Sequence, residues 1–407
     1  MSRDITRRSV LAGIGTTGAV AVAGCSSGGG GNSVDARVGV LQPTTGDLGD
    51  LGAPIQDAGV LPVTQLQNEG VEYTLESRRE DTETNPSVGV DRAQALATAG
   101  YPSITGAASS AVTIRVAEEV LFQQEVVGIS PASTSPAITD LDGDYLLRTC
   151  PTDALQGVAL ANLAYEDRGL ESVATLYLNN DYGQGLNDAF VSSFQEAGGE
   201  VLAEQSFQKQ QPSYSSVLSD VLSDTPDALL VIGYPASGTQ IFRNFYERDD
   251  AQDYTVLVTD GLQENGLPSD VDNSMENVIG TAPAATGPGR DTFDQLYQDE
   301  YGTEPGVYNA QAYDATAVHI LAQLRAGELS GPAISEEIRA VANPGGEVIG
   351  PGSLAEGLEM AANGTEIQYQ GASSNVEFDE NGDLSAAVFN VFEYSREGYE
   401  VTDRVNL

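Results

Sequence analysis

Short apolar runs alternate with longer segments of helical periodicity along almost the whole chain. Runs such as 172–178 (SVATLYL) and 227–233 (DALLVIG) are continuously apolar instead of alternating with polar residues. A strand with that pattern is buried on both faces, which is typical of a parallel sheet covered by helices. The alternation of strands and helices therefore predicts open, doubly wound α/β domains.

The elements predicted from this pattern run from an early strand to a C-terminal hairpin. Strands are predicted at 37–41, 71–78, 126–130, 172–178, 227–233 and 254–259, and helices at 52–68, 87–99, 110–124, 153–168, 183–197, 213–223, 236–247, 290–301 and 308–326. The segment 374–394 predicts a hairpin that turns at Glu380, Asn381, Gly382 and Asp383, since these residue types favour turns. The acidic spacing there also suggests a calcium loop but lacks its later ligands, so a turn is the better interpretation.

The first residues have the features of an export signal. Arg7 and Arg8 precede a short run rich in Gly, Ala and Val that ends in small residues before Cys25. A charged start, a short apolar stretch and a small-residue cleavage site make a secretory signal, and the paired arginines indicate the twin-arginine route. We therefore expect a signal at 1–24, a lipid on Cys25 and a Gly/Ser tether at 25–35. The alternative is a plain cleaved signal in which the cysteine is incidental.

Composition excludes several classes of protein. Asp and Glu number 60 against 18 Lys and Arg, which gives a net charge of −42, and Lys209 is the only lysine. Nothing basic can follow a phosphate backbone, so a nucleic-acid partner is excluded. The charge predicts adaptation to molar salt, where the Debye length falls to about 3 Å and carboxylate repulsion is screened. The recurrent apolar runs exclude a disordered acidic chain, and the length of 407 residues predicts two domains.

Two scarce residue types limit the possible chemistry. Cys150 is the only cysteine besides Cys25, and His319 is the only histidine. His319 lies within a helical pattern, so a core or helix-surface histidine is a better interpretation than a metal ligand or a catalytic base. The sequence has no G-x-G-x-x-G after the first strand, no P-loop lysine and no G-x-S-x-G elbow. We therefore expect no cofactor, no metal site and no enzymatic activity.

Eight segments resemble, in order and at similar spacing, the motifs of one protein family. They are VGVLQPTTGDLGDLG (38–52), EDTETNP (80–86), ITGAASSAV (104–112), GISPASTSPAIT (128–139), YLLRTCPTDALQG (145–157), DYGQG (181–185), PDALLVIGY (226–234) and FDENGD (378–383). Together they resemble the leucine/isoleucine/valine-binding family of type I periplasmic binding proteins, over nearly all of 36–395. The stretch at 68–70 is shorter than its counterpart in the family, and 330–375 matches poorly.

This resemblance implies two α/β lobes joined by three crossings of the chain. Lobe 1 is expected at 36–150 and 284–386, and lobe 2 at 151–283 and 387–407. The ligand of such a protein lies between the lobes at the carboxyl ends of the strands, and a hinge motion closes the lobes around it.

The candidate binding residues match the two charges of a free amino acid. Ser109 or Ser110 opens a predicted helix, where free backbone N–H groups and a hydroxyl make a site for a carboxylate. The alternative is that Ser110 only caps the helix. The resemblance adds Ser133 and Thr134 as further donors, and it implies that Asp260, at the end of an apolar strand in lobe 2, contacts the ammonium of the ligand.

Three further residues are candidates for the walls of the cleft. The resemblance places Tyr182 and Tyr234 on the side of lobe 2, where aromatic faces close over an aliphatic side chain. It places Leu51 at the border of the side-chain pocket. The alternative for all three is an ordinary place in the core.

The resemblance implies a lipid-anchored, extracytoplasmic substrate-binding protein of an ABC importer that works as a monomer with a permease and an ATPase. The implied ligand is a branched-chain or other aliphatic amino acid, while an amide, urea or an aromatic acid stays open. A sensory receptor of the same fold is a rival; it would be expected to continue into a membrane-spanning helix and a signalling domain, which the sequence up to Leu407 lacks. A lipid-anchored hydrolase is a weaker rival because its catalytic motifs are missing.

Overall fold

The computed structural model describes residues 35–407. The predicted signal at 1–24, with Arg7 and Arg8, lies outside the described residues, and so do Cys25 and the tether apart from Asp35. Among residues 35–407, no helix has both the length and the apolar character needed to cross a membrane.

Strands and helices alternate through the described chain. In chain order the strands are β1 (Ala36–Gln42), β2 (Leu75–Asp81), β3 (Ser103–Gly106), β4 (Val127–Ser130), β5 (Leu146–Arg148), β6 (Ser172–Leu178), β7 (Glu200–Phe207), β8 (Ala228–Ile232), β9 (Thr255–Val258), β10 (Val278–Pro283), β11 (Glu347–Ile349), β12 (Ile367–Tyr369), β13 (Val388–Ser395) and β14 (Gly398–Asn406). The α-helices are α1 (Gly49–Glu69), α2 (Pro86–Thr98), α3 (Ser110–Val116), α4 (Phe122–Gln124), α5 (Asp153–Asn162), α6 (Asp181–Ala197), α7 (Ser215–Val221), α8 (Pro235–Tyr246), α9 (Leu267–Val271), α10 (Arg290–Tyr301), α11 (Asn309–Ala326), α12 (Gly331–Ala342) and α13 (Leu354–Ala362). A π-helical turn at Ala117–Leu121 joins α3 to α4.

The first sheet is fully parallel. Its strands lie in the order β2-β1-β3-β4-β5, and α1 to α4 and α10 to α13 pack against it or against each other. We call this body lobe 1. The strand order reverses between β1 and β3, and the carboxyl ends of strands at such a point frame a crevice where ligands bind.

The second sheet contains seven strands in the order β14-β13-β10-β9-β8-β6-β7. Strands β6 to β10 are parallel, whereas β13 is antiparallel to both β10 and β14. Helices α5 to α9 pack against this sheet or against each other, and we call this body lobe 2. One parallel sheet and one mostly parallel sheet, each packed against helices, confirm the predicted doubly wound α/β class.

The chain passes between the lobes three times, after β5, after β10 and before β13. Two of these crossings are tied together by a buried ion pair, in which Arg148 contacts Asp383 through Nε and Nη2 at 2.5 and 2.9 Å. The strands of the first sheet fall within the limits expected for lobe 1, and those of the second sheet fall within the limits expected for lobe 2. The exact limits of the lobes stay predictions.

Local sequence explains where the elements near the cleft begin. The side chain of Asn180 accepts a hydrogen bond from the backbone N–H of Gly183 at 2.9 Å and so caps α6. A Cβ on Gly183 would lie 2.1 Å from the carbonyl oxygen of Leu178, so only glycine fits this close approach between β6 and α6. All of β8 is buried, which accounts for the continuous apolar run in its sequence.

Helix α11 forms the centre of lobe 1 and is buried from Asn309 to Leu324. His319 lies in this helix with no exposed surface, and its Nε2 is 3.2 Å from the carbonyl oxygen of Ile104. Burial lowers the pKa of His319 to about 3, so the ring is neutral. The core interpretation of this histidine is therefore confirmed.

Two predictions about strands are wrong. The predicted hairpin at 374–394 is reduced to one bridge between Phe378 and Leu384. The hairpin joins β13 to β14 instead, because β13 finds its antiparallel partners in β10 and in the last segment of the chain. The strand predicted at 71–78 begins at Leu75 and continues through polar residues, since β2 is an edge strand that needs little apolar surface.

Candidate functional site

A small cavity lies between the two lobes, near the carboxyl ends of the strands. Its volume is about 20 Å³, which is room for about one water molecule. Residues from both lobes line it: Leu48, Leu51, Ile55, Ala108, Ala132 and Tyr308 from lobe 1, and Tyr182, Tyr234, Asp260 and Gly261 from lobe 2.

Asp260 is the charged group of this cavity. It follows β9 and is only 3% exposed. Its carboxylate accepts hydrogen bonds from the Tyr308 hydroxyl at 2.8 Å and the Tyr182 hydroxyl at 3.1 Å. Burial raises the pKa of Asp260, and these hydrogen bonds partly offset the rise. No arginine or lysine side chain neutralises it within the described part of the chain.

Two tyrosine rings form the wall contributed by lobe 2. The rings of Tyr182 and Tyr234 are stacked, with centroids 5.4 Å apart and an interplanar angle of 10°. The Tyr182 hydroxyl also lies 2.8 Å from the Thr259 hydroxyl, and the Tyr234 hydroxyl lies 3.3 Å from that of Ser109 in lobe 1. Stacking and hydroxyl contacts fix both rings, so the wall is rigid and polar at its edge.

The opposite wall is apolar. Leu48 precedes the first turn of α1, and Leu51 and Ile55 follow within the helix. Ile55 is buried and Leu51 is half-buried. These side chains give the cavity its apolar lining on the side of lobe 1.

Several contacts across the cleft show that the lobes are closed. The Ser237 hydroxyl of lobe 2 donates to the Asp47 carboxylate of lobe 1 at 2.9 Å. The Lys209 ammonium of lobe 2 donates to the Thr84 carbonyl oxygen of lobe 1 at 3.0 Å. The Tyr308–Asp260 hydrogen bond also joins the lobes. The small cavity volume follows from this closure.

A family model described as "Periplasmic binding protein" matches residues 35–363. That match covers most of the chain and includes the residues of the cleft. The chain belongs to the periplasmic binding protein family.

Relatives of this binding protein include amino-acid-binding proteins and a substrate-binding protein of a chemotactic signal transduction system. It is 28% identical over 363 residues to the chemotactic signal transduction system substrate-binding protein BasB of Halobacterium salinarum, covering 86% of this chain and 84% of that protein. It is 24% identical to the Leu/Ile/Val-binding protein BraC3 of Rhizobium johnstonii, covering 88% and 92%. Among solved structures, the leucine-binding protein LivK of Thermotoga maritima matches with a TM-score of 0.76 and 26% identity, over 91% and 99% of the two chains.

The candidate residues of the binding protein fall into two groups. Leu51, Tyr182, Tyr234 and Asp260 line the cavity, and the hydroxyl of Ser109 contacts one of the lining tyrosines. Ser109, not its neighbour, is the residue that precedes α3, and its hydroxyl makes no capping hydrogen bond. Its side chain is therefore directed to the cleft.

The other three candidates lie behind the cavity wall. The hydroxyl of Ser110 accepts from the backbone N–H of Ser135 at 3.2 Å, so the interpretation of Ser110 as a helix cap is wrong. The hydroxyl of Ser133 donates to the Ala107 carbonyl oxygen at 2.9 Å and so holds the loops together. The hydroxyl of Thr134 is buried and has no hydrogen-bond partner among the described residues.

Two residues of the site were missed from the sequence. Tyr308 reaches Asp260 from a loop that precedes α11, and nothing in its local sequence marks that approach. Asp153, the first residue of α5, has no exposed surface and lies close enough to Asp260 for the two carboxylates to repel each other. Asp153 could have been proposed from the sequence, because it lies within the segment 145–157 that resembles a motif of the family.

Proposed function

We propose that this binding protein captures a free amino acid with an aliphatic side chain between its lobes. The observation that carries the proposal is the buried carboxylate of Asp260, which lacks a cationic partner and can pair with an ammonium group. The apolar wall that includes Leu51 suits an aliphatic side chain, and the hydroxyl of Ser109 suits the ligand carboxylate. Ser110, Ser133 and Thr134 keep a proposed role as backbone donors and as supports of this site.

Ligand entry requires the lobes to separate. A cavity of about 20 Å³ is far below the roughly 300 Å³ or more that small-molecule sites occupy. The cross-cleft hydrogen bonds of Asp47, Thr84 and Tyr308 must break on opening and form again around the ligand. Hinge closure of this kind removes the ligand from water.

A thermal-shift panel in molar KCl tests the choice of ligand. Aliphatic amino acids, amides, urea and aromatic acids are compared at equal concentration. A ligand at 100 times its dissociation constant adds about 2.7 kcal/mol to the free energy of unfolding. We expect leucine, isoleucine or valine to raise the melting temperature most. Stabilisation by an aromatic acid or urea alone would contradict the proposed ligand class.

We further propose that the protein works outside the cytoplasmic membrane, held by a lipid on Cys25, and delivers its ligand to an ABC permease and ATPase. The resemblance to Leu/Ile/Val-binding proteins and the N-terminal sequence pattern support this. A monomer, with two lobes available to a permease, fits the same role. The relatives are binding proteins by name, which supports a function without catalysis.

Membrane retention should depend on Cys25. The change Cys25→Ser removes the thiol that would carry the lipid, so we expect the protein to appear in the medium or as an unprocessed precursor. As a second arm, Arg7→Lys with Arg8→Lys should block export, because the twin-arginine route reads the arginine pair. Mass spectrometry of the mature N-terminus is the measurement. An unmodified Cys25 in membrane-bound protein would contradict the anchor.

Folding should depend on salt, since the net charge is −42. In dilute buffer the carboxylates repel one another over about 30 Å, whereas molar KCl limits this to about 3 Å. We expect the protein to unfold below roughly a few tenths molar KCl. Above that concentration, its melting temperature should rise steadily up to molar KCl. Circular dichroism at increasing KCl measures this. A flat melting temperature from dilute buffer to molar KCl would refute the proposed adaptation to salt.

A second candidate function is chemotactic sensing, because the match to the signalling substrate-binding protein BasB extends over 86% of the chain. The same cleft would then present its ligand to a membrane receptor. Deletion of the gene separates the two functions. Loss of amino-acid uptake indicates transport, whereas loss of movement toward the amino acid with normal uptake indicates sensing.

A further inference from the structure

Asp153 is a second buried carboxylate close to the cleft, in addition to Asp260. It begins α5 on lobe 2, and its backbone N–H donates to the Thr134 carbonyl oxygen of lobe 1 at 2.7 Å. Neither carboxylate oxygen of Asp153 has a hydrogen-bond partner among the described residues. The Thr134 hydroxyl lies nearby but outside hydrogen-bond geometry, and it is unpartnered too.

The surroundings of Asp153 do not neutralise it. The charged or titratable groups that face it are Asp260 after β9, Arg148 at the end of β5, Cys150 in the first crossing, Tyr182 in α6 and Tyr308 before α11. Arg148 is the only cation among them, and its guanidinium is committed to Asp383. Burial raises the pKa of Asp153 well above its ordinary value, and repulsion by Asp260 raises the pKa further.

Closure of the empty cleft therefore meets an electrostatic obstacle. The backbone contact between Asp153 and Thr134 joins the two lobes. If opening breaks this contact, the carboxylate of Asp153 gains access to water. Closing the lobes then removes that water, and the Thr134 hydroxyl is the one nearby donor, outside hydrogen-bond geometry among the described residues. An ionised carboxylate left unpaired in such a place is strongly unfavourable unless a proton or another cation neutralises it.

We propose that Asp153 makes closure of the cleft conditional on a cationic group. Without ligand, closure requires a proton from solvent to bind a carboxylate oxygen of Asp153. With an amino acid in the cleft, the ligand ammonium lies between Asp153 and Asp260, the Asp153 carboxylate stays ionised, and no proton is taken up. This role rests on the proposed amino-acid function, and it explains how a binding protein avoids presenting an empty closed form.

Closure of the protein without ligand should be favoured at low pH. The closed form without ligand has the raised pKa and the open form the ordinary pKa, so closure takes up one proton between these two pKa values. In that window the closing equilibrium constant of the empty protein falls up to tenfold for each pH unit gained. Closure by an amino acid takes up no proton at Asp153 and should be much less sensitive to pH.

The distance between spin labels on the two lobes measures closure directly. Ala137→Cys on lobe 1 and Gln184→Cys on lobe 2 place the labels at exposed positions that line one surface pocket from the two lobes. The native Cys150 is fully buried and burial raises the pKa of its thiol, so it should not react. Distances are recorded in molar KCl from about pH 4 to pH 8, with and without leucine and its deaminated analogue 4-methylpentanoate.

We expect the empty protein to be open at pH 8 and to close as the pH falls, while leucine closes it at both ends of the range. Asp153→Asn should close without ligand at pH 8, with little slope against pH. The unmodified protein should prefer leucine over 4-methylpentanoate by at least about 30-fold, and Asp153→Asn by a clearly smaller factor. Asp181→Asn, an exposed carboxylate beside the cleft, is the matched control and should behave as the unmodified protein.

The proposal is overturned if closure of the unmodified protein without ligand does not change with pH. This measurement decides the matter even if Asp153→Asn does not fold. An unchanged pH slope in folded Asp153→Asn also overturns it and assigns the proton to Asp260. Should acid close the empty protein while no amino acid does, the role of Asp153 stands and the proposed ligand is wrong.

Discussion

Asp260→Asn should fold normally and lose most of its affinity for amino acids. The variant keeps the size of the side chain and can still accept the hydrogen bond from Tyr308, but it removes the charge that would pair with the ammonium. Leaving one partner of a desolvated pair uncompensated costs about 2–5 kcal/mol, which is a loss of roughly 30- to 5,000-fold in affinity. Calorimetric titration in molar KCl measures both proteins.

The control for this variant is Glu264→Gln, four positions further along the chain. The carboxylate of Glu264 accepts a hydrogen bond from the backbone N–H of Gly266 at 2.7 Å, and Glu264 does not line the cavity. Its change to Gln should therefore leave the affinity for amino acids nearly unaltered. For ligands without the amine, the affinities of Asp260→Asn and of the original protein should differ much less. Binding of amino acids by Asp260→Asn within about threefold of the original, a change below about 0.7 kcal/mol, would exclude Asp260 as the ammonium partner.

Arg148→Met should cause a large loss of stability. The guanidinium has no exposed surface, pairs with Asp383 and also donates to the Ser135 carbonyl oxygen at 2.9 Å and the Thr139 hydroxyl at 2.7 Å. Its removal leaves a nearly buried carboxylate without its cation, although the Thr139 hydroxyl still donates to that carboxylate at 2.7 Å. It also takes one of two donors from the Ser135 carbonyl oxygen. Breaking such a pair from one side typically costs about 3–5 kcal/mol. Chemical denaturation at constant molar salt measures the free energy of unfolding.

The matched control is Arg115→Met, which breaks an exposed pair with Glu119 one helical turn away. Exposed pairs contribute about 0–1 kcal/mol, so the control should change little. Adding Asp383→Leu to Arg148→Met should recover part of the loss, because the unpaired carboxylate is then gone. Equal effects of Arg148→Met and Arg115→Met would contradict the importance given to the buried pair.

The sequence predicted the fold class because its central strands are buried on both faces. Strands such as β6 and β8 keep continuous apolar runs, and those runs are visible without any tertiary information. Strands at the sheet edges were missed or displaced, and two buried inner strands, β3 and β10, were also missed. Strand β7 is half-exposed over most of its length, and its partner is known only once the sheet has formed. Pattern alone cannot supply that partner.

The candidate site was predictable only in part. Asp260 follows strand β9 and Tyr182 follows strand β6. The order of the strands in the sheet brings the two residues close together. Tyr308 belongs to the other lobe, so its hydrogen bond to Asp260 depends on how the lobes close. The hydroxyl of Ser133 donates to the backbone of a neighbouring loop, so only its backbone N–H keeps the predicted role as a donor to the ligand. Residue type and position in the chain do not reveal such competition for hydrogen bonds.

The most direct test of amino-acid binding is calorimetric titration of the unmodified protein in molar KCl. Leucine, isoleucine and valine are compared with the carboxylic acids that remain when each loses its amine. Pairing of the ammonium with buried carboxylate predicts one site per chain, with the amino acids bound at least 30-fold more tightly than their deaminated analogues, a difference of about 2 kcal/mol. Equal affinity for both sets, or no binding of any amino acid, would contradict the account.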